Sequence, residues 1–138
     1  MPYTTLQKIR FDDVDGAGIV YYPHFFHLCH ATFEDFFDEQ APYSYPELIV
    51  EKRHGFPTVN IKSDFSSPLK YGDAVIVQMG VHKLGKSSVT LDFSVLRQND
   101  DHCCFKAQIT TVFMNLDTQK AVELPDELRS IFTRIATD

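Results

Sequence analysis

The sequence predicts an α+β domain, in which one long amphipathic helix lies on the face of an antiparallel sheet. Three observations point there. Apolar residues recur with a helical period from Pro23 to about Glu39. After Gly55 the period switches to two and stays there through four long runs. The connections between those runs, at Gly85-Lys86 and Asn99-Asp100-Asp101, are short enough for antiparallel hairpins.

Taken in order, residues 3–11 read as a first strand. Asp12 to Gly18 (DDVDGAG) reads as loop, since three Asp and two Gly hold no regular element well. Ile19 to Tyr22 is a short apolar approach. Pro23 stands where prolines start helices, at the first helical position. At 100° per residue, Phe25, Phe26, Cys29, Phe33, Phe36 and Phe37 then form one stripe, with Ala31, Glu34, Asp35 and Asp38 away from its centre. Pro42 and Pro46 end this element, and a short helix is expected at residues 47–53.

In the strand region, Val59, Ile61 and Phe65 alternate with Asn60, Lys62 and Asp64. Val75, Val77, Met79 and Val81 follow the turn Tyr71-Gly72-Asp73. Val89, Leu91, Phe93 and Val95 make the next run, and Phe105, Ala107, Ile109, Thr111 and Phe113 a weaker fourth. Residues 116–124 leave room for one more turn and short strand. Pro125, with Asp126 and Glu127 in the first turn and Arg134 in the last, frames a closing helix. One helix cannot cover both faces of a five-stranded sheet. The edge strands and the leftover face are therefore expected to meet another subunit, making a homo-oligomer, dimer or tetramer.

Composition sets outer bounds. The 138 residues suit one domain, 1–138, without repeats or linkers. Hydrophobic residues are 43% and charged residues 23%, which excludes a disordered chain. Thirteen Lys and Arg stand against nineteen Asp and Glu, a net charge of −6 that argues against nucleic acid as partner. No run of apolar residues approaches membrane-spanning length, and the N-terminal stretch lacks the apolar core of a signal peptide. Cys29, Cys103 and Cys104 form neither a C-x-x-C pair nor an even framework, so reduced thiols in a cytoplasm are expected. Twelve Phe in so short a chain suggest a thick aromatic core or an apolar ligand slot.

The densest polar cluster, Asp12, Asp13, Asp15, Gly16 and Gly18, stands directly before the long helix. A helix start offers unpaired N–H groups and a positive dipole end. A carboxylate there, with glycines such as Gly18 allowing a ligand close, suits acyl transfer. The N–H groups polarise a carbonyl, and the carboxylate attacks it or activates water. The competing reading is a plain acidic, glycine-bearing loop.

The stretch from Phe11 to Pro23, FDDVDGAGIVYYP, resembles the signature of the 4-hydroxybenzoyl-CoA thioesterase class of hotdog-fold proteins, loosely D-x-D-x-x-G-x-x-[YFW]-[YF] before a long helix. The resemblance extends over nearly the whole chain, including residues 56–65 and the Tyr71-Gly72-Asp73 turn. It implies a sheet wrapped around one central helix and hydrolysis of an acyl-CoA substrate. It also implies that Asp15 is the nucleophile or general base and that the Tyr22 N–H polarises the thioester carbonyl. Asp12 and Asp13 fall on less constrained positions and read as solvated loop.

Where the aryl-CoA member carries an Asp against its substrate's ring hydroxyl, this chain has His30. Cys29-His30 followed by Glu34 more nearly resembles the dihydroxynaphthoyl-CoA hydrolases of the same class. The resemblance thus makes His30 a candidate contact to the acyl group, beside the plainer reading of a helix-edge histidine paired with Glu34. Phe26 and its neighbours on the stripe would line the acyl slot. His27, His30 and Glu34 share a ridge, but the Asp15 route needs no metal or cofactor, and none is expected. CoA phosphates need cations. Lys83 and Lys86 flank the turn where the aryl-CoA member has a denser basic group, although only Lys86 falls on a basic position and Gly85 and Ser87 depart from it. Lys70 is a further candidate.

Two other functions fit the same residues: a short-chain or acyl-carrier-protein thioesterase of the same fold, and a non-catalytic acyl-CoA binding module.

Overall fold

A computed structural model describes residues 1–137. Strand β1 (Tyr3–Lys8) leads through a one-turn 3-10 helix at Phe11–Asp13 to the long helix α1 (Pro23–Gln40). A π-type turn at Glu47–Glu51 precedes the short strand β2 (His54–Gly55). Then come β3 (Thr58–Phe65), β4 (Ala74–Leu84), β5 (Ser88–Arg97) and β6 (Cys103–Val112). The chain closes with the two-residue strands β7 (Met114–Asn115) and β8 (Lys120–Ala121) and with helix α2 (Asp126–Thr133). The main sheet has five strands in the order β1-β4-β5-β6-β3, and β2, β7 and β8 form a second, small sheet. Every pairing between these strands is antiparallel.

The alternation in β4, β5 and β6 does what its period dictates. Val75, Val77, Met79, Val89, Leu91, Phe93, Val95, Phe105 and Ala107 point inward and are buried. Helix α1 lies on that inner face, pressing Phe25, Leu28, Cys29, Phe33, Phe36 and Phe37 into the core. The sheet wraps around the helix in the hotdog arrangement. Phe26 differs from the rest of the stripe: it is only half-buried, at the rim rather than in the core.

Helix α2 inserts Phe132 between Phe33, Phe36 and Phe56, at ring-centroid distances of 6.2, 5.7 and 5.7 Å. Phe132 is fully buried, so its removal leaves a cavity that α1 and α2 cannot both close. Phe132→Ala is expected to cost about 3–5 kcal/mol and to lower Tm by roughly ten degrees or more in a thermal melt. A shift of a degree or two would show that α2 is peripheral to the core.

Three sequence expectations are corrected. The first strand stops at Lys8 rather than residue 11, because Ile9 is captured by the turn at residues 70–73. Ile9 donates to the Asp73 carbonyl at 2.8 Å and accepts from Gly72 N at 3.0 Å. The short helix expected at residues 47–53 is a π-type turn of five residues, closed by Lys52 N–H to the Glu47 carbonyl at 3.0 Å. The outer face of the sheet is not an apolar surface awaiting cover: Lys62, Asp64, Asp92, Ser94, Lys106 and Gln108 line a polar concavity there. Large apolar residues are exposed mainly on edge strand β3 (Val59, Ile61, Phe65) and around the loop before α1 (Phe11, Ile19, Tyr21, Tyr22, Tyr71), with Leu6 of β1 and Val50 exposed singly.

Candidate active site

The loop that enters α1 is tied down from both sides. A short antiparallel bridge joins Val14 to Val20, and another joins Ile19 to Lys70. Within this hairpin Asp15 N donates to Ile19 O at 3.0 Å, and Gly18 N donates to Asp15 O at 2.9 Å. Gly18 has φ +80°, a left-handed backbone that a residue with a Cβ adopts only at a cost, and no other atom crowds the space beside it. Its role in the loop is thus conformational.

The Asp15 carboxylate is exposed, with Oδ1 accepting from Ala17 N at 2.8 Å. That bond fixes the side chain's direction and leaves Oδ2 without a partner among the described residues. Downstream, Tyr21 N donates to Asp13 O, His24 N to Tyr21 O and Phe25 N to Tyr22 O. Pro23 has no N–H. Among the described residues, the Tyr22 N–H at the helix start has no acceptor. Asp15 and Tyr22 stand at the two ends of one pinned hairpin.

Asp13, expected to be solvated loop, is buried instead. Its Oδ2 accepts from Arg10 N at 2.7 Å, and its Oδ1 faces His24 Nδ1 at 3.3 Å. It holds the 3-10 turn against the first turn of α1. Composition could not separate it from Asp12, which is exposed; the distinguishing signal is its spacing, three residues after Arg10 and eleven before His24.

A cavity of about 330 Å³ opens between α1 and the sheet. Phe26, His27, Cys29, His30 and Phe33 form its helix wall. Leu91, Phe93, Ile109 and Thr111 form its floor, and Thr58 and Ile61 of edge strand β3 its side. The lining is almost wholly apolar, as a slot for an organic acyl group requires. Phe26 lies four residues beyond Tyr22, about 6 Å along the helix axis, so the slot begins one turn from the free N–H. Phe65 spans the gap, with its ring 6.2 Å from Tyr22 and 6.3 Å from Phe26.

His30 pairs with Glu34 and also lines the cavity. Its Nδ1 lies 2.9 Å from Glu34 Oε2. A carboxylate only accepts, so Nδ1 donates in this contact, and Nε2 has no partner among the described residues. His27, which the sequence singled out only for its ridge, also lines the cavity. Cys29 lines it too, but burial pushes its thiol up to about 12, far from the thiolate a nucleophile needs. Among the described residues no three His, Cys, Asp or Glu side chains converge on a metal-sized site.

The basic candidates separate in space. Lys70 touches the loop through its bridge to Ile19. Lys83 is nine residues along β4 from Ala74, about 30 Å from the end where the loop sits, and Lys86 lies in the hairpin beyond it. One chain does not bring Lys83 or Lys86 to its own Asp15.

Residues 9–132 match the model of the thioesterase-like superfamily, and the chain belongs to that superfamily. It is 27% identical, over 130 residues, to the 1,4-dihydroxy-2-naphthoyl-CoA hydrolase of Nostoc punctiforme, covering 93% of this chain and 84% of that one. The fold matches a crystal structure of Slr0204, a 1,4-dihydroxy-2-naphthoyl-CoA thioesterase from Synechocystis. There the TM-score is 0.87 and the identity 22%, over 96% of both chains. The BH1999 gentisyl-coenzyme A thioesterase matches with a TM-score of 0.82 and 25% identity, over 91% of this chain and 98% of that one. These named relatives are CoA thioester hydrolases or thioesterases. No helix among the described residues is long and apolar enough to cross a membrane.

Proposed function

We propose that the protein hydrolyses an aryl-CoA thioester to the free acid and coenzyme A. One observation carries this most: the oriented, half-free Asp15 carboxylate and the unengaged Tyr22 N–H sit on one pinned hairpin, with an apolar slot starting a helical turn away. The thioester carbonyl oxygen would accept from the Tyr22 N–H, aided by the positive end of α1. Asp15 would attack the carbonyl carbon or take a proton from a water that attacks it. Collapse of the tetrahedral intermediate breaks the C–S bond and expels the CoA thiolate, which takes up a proton. Where Asp15 is the nucleophile, the acyl group is left on it as a mixed anhydride, which water then hydrolyses to release the free acid and restore the carboxylate. Gly18 would keep the loop in the conformation that presents Asp15. Homology to dihydroxynaphthoyl-CoA and gentisyl-CoA thioesterases supports an aromatic, hydroxylated acyl group rather than 4-hydroxybenzoyl specifically.

The slot's length supports the same class. His30 lies eight residues beyond Tyr22, about 12 Å along the axis, and its side chain leans back toward the N-terminus. A ring system bound at the carbonyl end could present a hydroxyl to His30 Nε2. We place the enzyme in the cytoplasm, in keeping with its three free thiols, and working as a homo-oligomer.

The test is a screen of aryl-, short- and long-chain acyl-CoA and acyl-carrier-protein thioesters, read by release of free thiol. Hydroxyaryl-CoA substrates are expected to lead. Preferred turnover of an aliphatic or carrier-protein thioester would replace the acyl assignment. Saturable binding with no thiol release from any substrate would make the chain a binding module. Within the screen, His30→Ala should erase the preference for a hydroxylated over an unhydroxylated aryl group, a change of roughly ten- to a hundredfold in the ratio of kcat/KM. Equal loss on both substrates would make His30 structural.

A further inference from the structure

We propose that Asp13 and His24 act as a positioning pair for the hydrolysis, holding the Tyr22 N–H at a fixed place relative to the Asp15 carboxylate. This rests on the hydrolase reading and adds to it two residues that do not themselves meet the reacting atoms.

Tyr22 has little to anchor it. Its side chain is 61% exposed, its N–H has no acceptor among the described residues, and its carbonyl accepts only from Phe25 N, at 3.2 Å. Yet a donor to a developing oxyanion stabilises charge well only if its direction is set before the substrate arrives. Something outside Tyr22 has to set it.

Among the described residues, both hydrogen bonds that fasten residues 21–24 to the Asp15 arm of the hairpin end on Asp13. Tyr21 N donates to the Asp13 carbonyl at 3.0 Å. His24 Nδ1 donates to Asp13 Oδ1 at 3.3 Å. One residue thus grips the chain on either side of Tyr22 and Pro23, by its main chain before them and by its side chain after them. Tyr22 has φ −52° and ψ −35°, and the ring of Pro23 fixes its own φ, so few torsions stay free between the two grips.

Asp13 is itself fixed. Its N–H donates to the Arg10 carbonyl at 3.0 Å, and its Oδ2 accepts from Arg10 N at 2.7 Å. Tying the 3-10 turn uses only one carboxylate oxygen, and the other is turned to α1. The side chain is 10% exposed, and a carboxylate this buried holds its partners in place because leaving either oxygen unpaired is costly. Asp15 follows two residues later, past the bridge from Val14 to Val20. The attacking group and the carbonyl's donor are therefore located by the same residue. Neither Asp13 nor His24 lines the acyl slot, so their loss should act on the transition state and leave substrate binding alone.

The experiment reads kcat, KM and the carbonyl bond. Asp13→Ala and His24→Ala should each lower kcat on the best thioester about ten- to a hundredfold, with KM changed less than about twofold. The double variant should lose no more than the larger single loss, because either substitution already opens the same contact. Asp13→Asn should recover most of the lost kcat. Its oxygen can accept from Arg10 N, and its NH2 can donate to His24 Nδ1 in the other tautomer. In an Asp15→Asn parent, slowed enough to be observed with substrate bound, 2,5-dihydroxybenzoyl-CoA with an isotope-labelled thioester carbonyl should show a C=O stretch below its frequency in water. Adding Asp13→Ala or His24→Ala should move that stretch back toward the value in water.

Wild-type kcat in both alanine variants would overturn the pair. So would additive losses in the double variant, or an Asp13→Asn loss as large as that of Asp13→Ala. A fall in kcat with the carbonyl stretch unmoved would overturn it too, because the residues would then serve stability alone. Should Asp13→Ala fail to fold, His24→Ala decides, since His24 is half-buried and its removal leaves Asp13 bonded to Arg10 N. Failure of the hydrolase reading looks different. No thiol is then released from any thioester, while a lowered carbonyl stretch that still relaxes in the two alanine variants keeps the pair. A bound carbonyl that is not lowered with Asp13 and His24 intact removes Tyr22 as its donor, and the pair's role with it.

Discussion

Asp15→Asn is expected to lower kcat on the best thioester at least about a hundredfold while leaving the fold intact. The asparagine side chain keeps an oxygen to accept from Ala17 N, the 2.8 Å bond that orients the native carboxylate. The loop conformation rests on main-chain bonds, Asp15 N to Ile19 O and Gly18 N to Asp15 O, which the substitution does not touch. Asp15 is exposed and forms no ion pair among the described residues, so stability should move by no more than about 0.5 kcal/mol. What changes is the reacting oxygen, which loses its charge and with it most of its nucleophilicity and basicity; loss of such a group typically costs 10²–10⁴ in rate. Single-turnover thiol release and a thermal melt, run side by side, separate the two effects. Near wild-type turnover would remove Asp15 from the chemistry, and a large fall in Tm would make it structural.

The fold was legible because its periods were clean. The stripe from Phe25 to Phe37 and the alternations of Val75 to Val81 and Val89 to Val95 bury the residues their period assigns, with Phe26 at the rim as the exception. β3 was legible as a strand but not as an exposed one. Val59, Ile61 and Phe65 carry the same apolar alternation as a covered strand, and only the strand order places β3 at an edge. The register shift between Thr58 and Asn60 is likewise invisible in the residues.

At the site, Asp15, Gly18 and the helix start could be found from sequence because their chemistry is local: each lies within a few residues of the others. Asp13 could not, because its burial depends on His24 and the Arg10 main chain closing over it. Phe11 reads as the apolar end of a strand, yet it projects into water beside a turn sixty residues away. The reach of Lys83 and Lys86 was equally hidden, since it follows from the length and direction of β4 rather than from any neighbour in sequence. Long-range placement, not residue type, separates what was read from what was missed.

Edge strand β3 gives the second large expectation: the chain associates at micromolar concentration, and Val59→Lys breaks that association. β3 bonds only to β6, so its other edge presents unpaired N–H and C=O groups along eight residues. Val59, Ile61 and Phe65 add apolar surface there, 59%, 46% and 50% exposed. An eight-residue edge of this kind is a template for pairing with a second copy. Ile61 also walls the acyl slot, and Phe65 spans the space between that slot and Tyr22. Pairing along β3 would therefore cover the open side of the cavity as well as the edge. A lysine at 59 places a charge in that contact without lining the slot, which is the device natural edge strands use to stay single. Sedimentation should show wild-type dimers or tetramers and a Val59→Lys population shifted toward monomer. Activity of the variant should fall with the monomer fraction and recover as protein concentration rises, by mass action. A wild-type monomer with full activity at micromolar concentration would refute the association, and concentration-independent loss in Val59→Lys would place the defect in the subunit rather than between subunits.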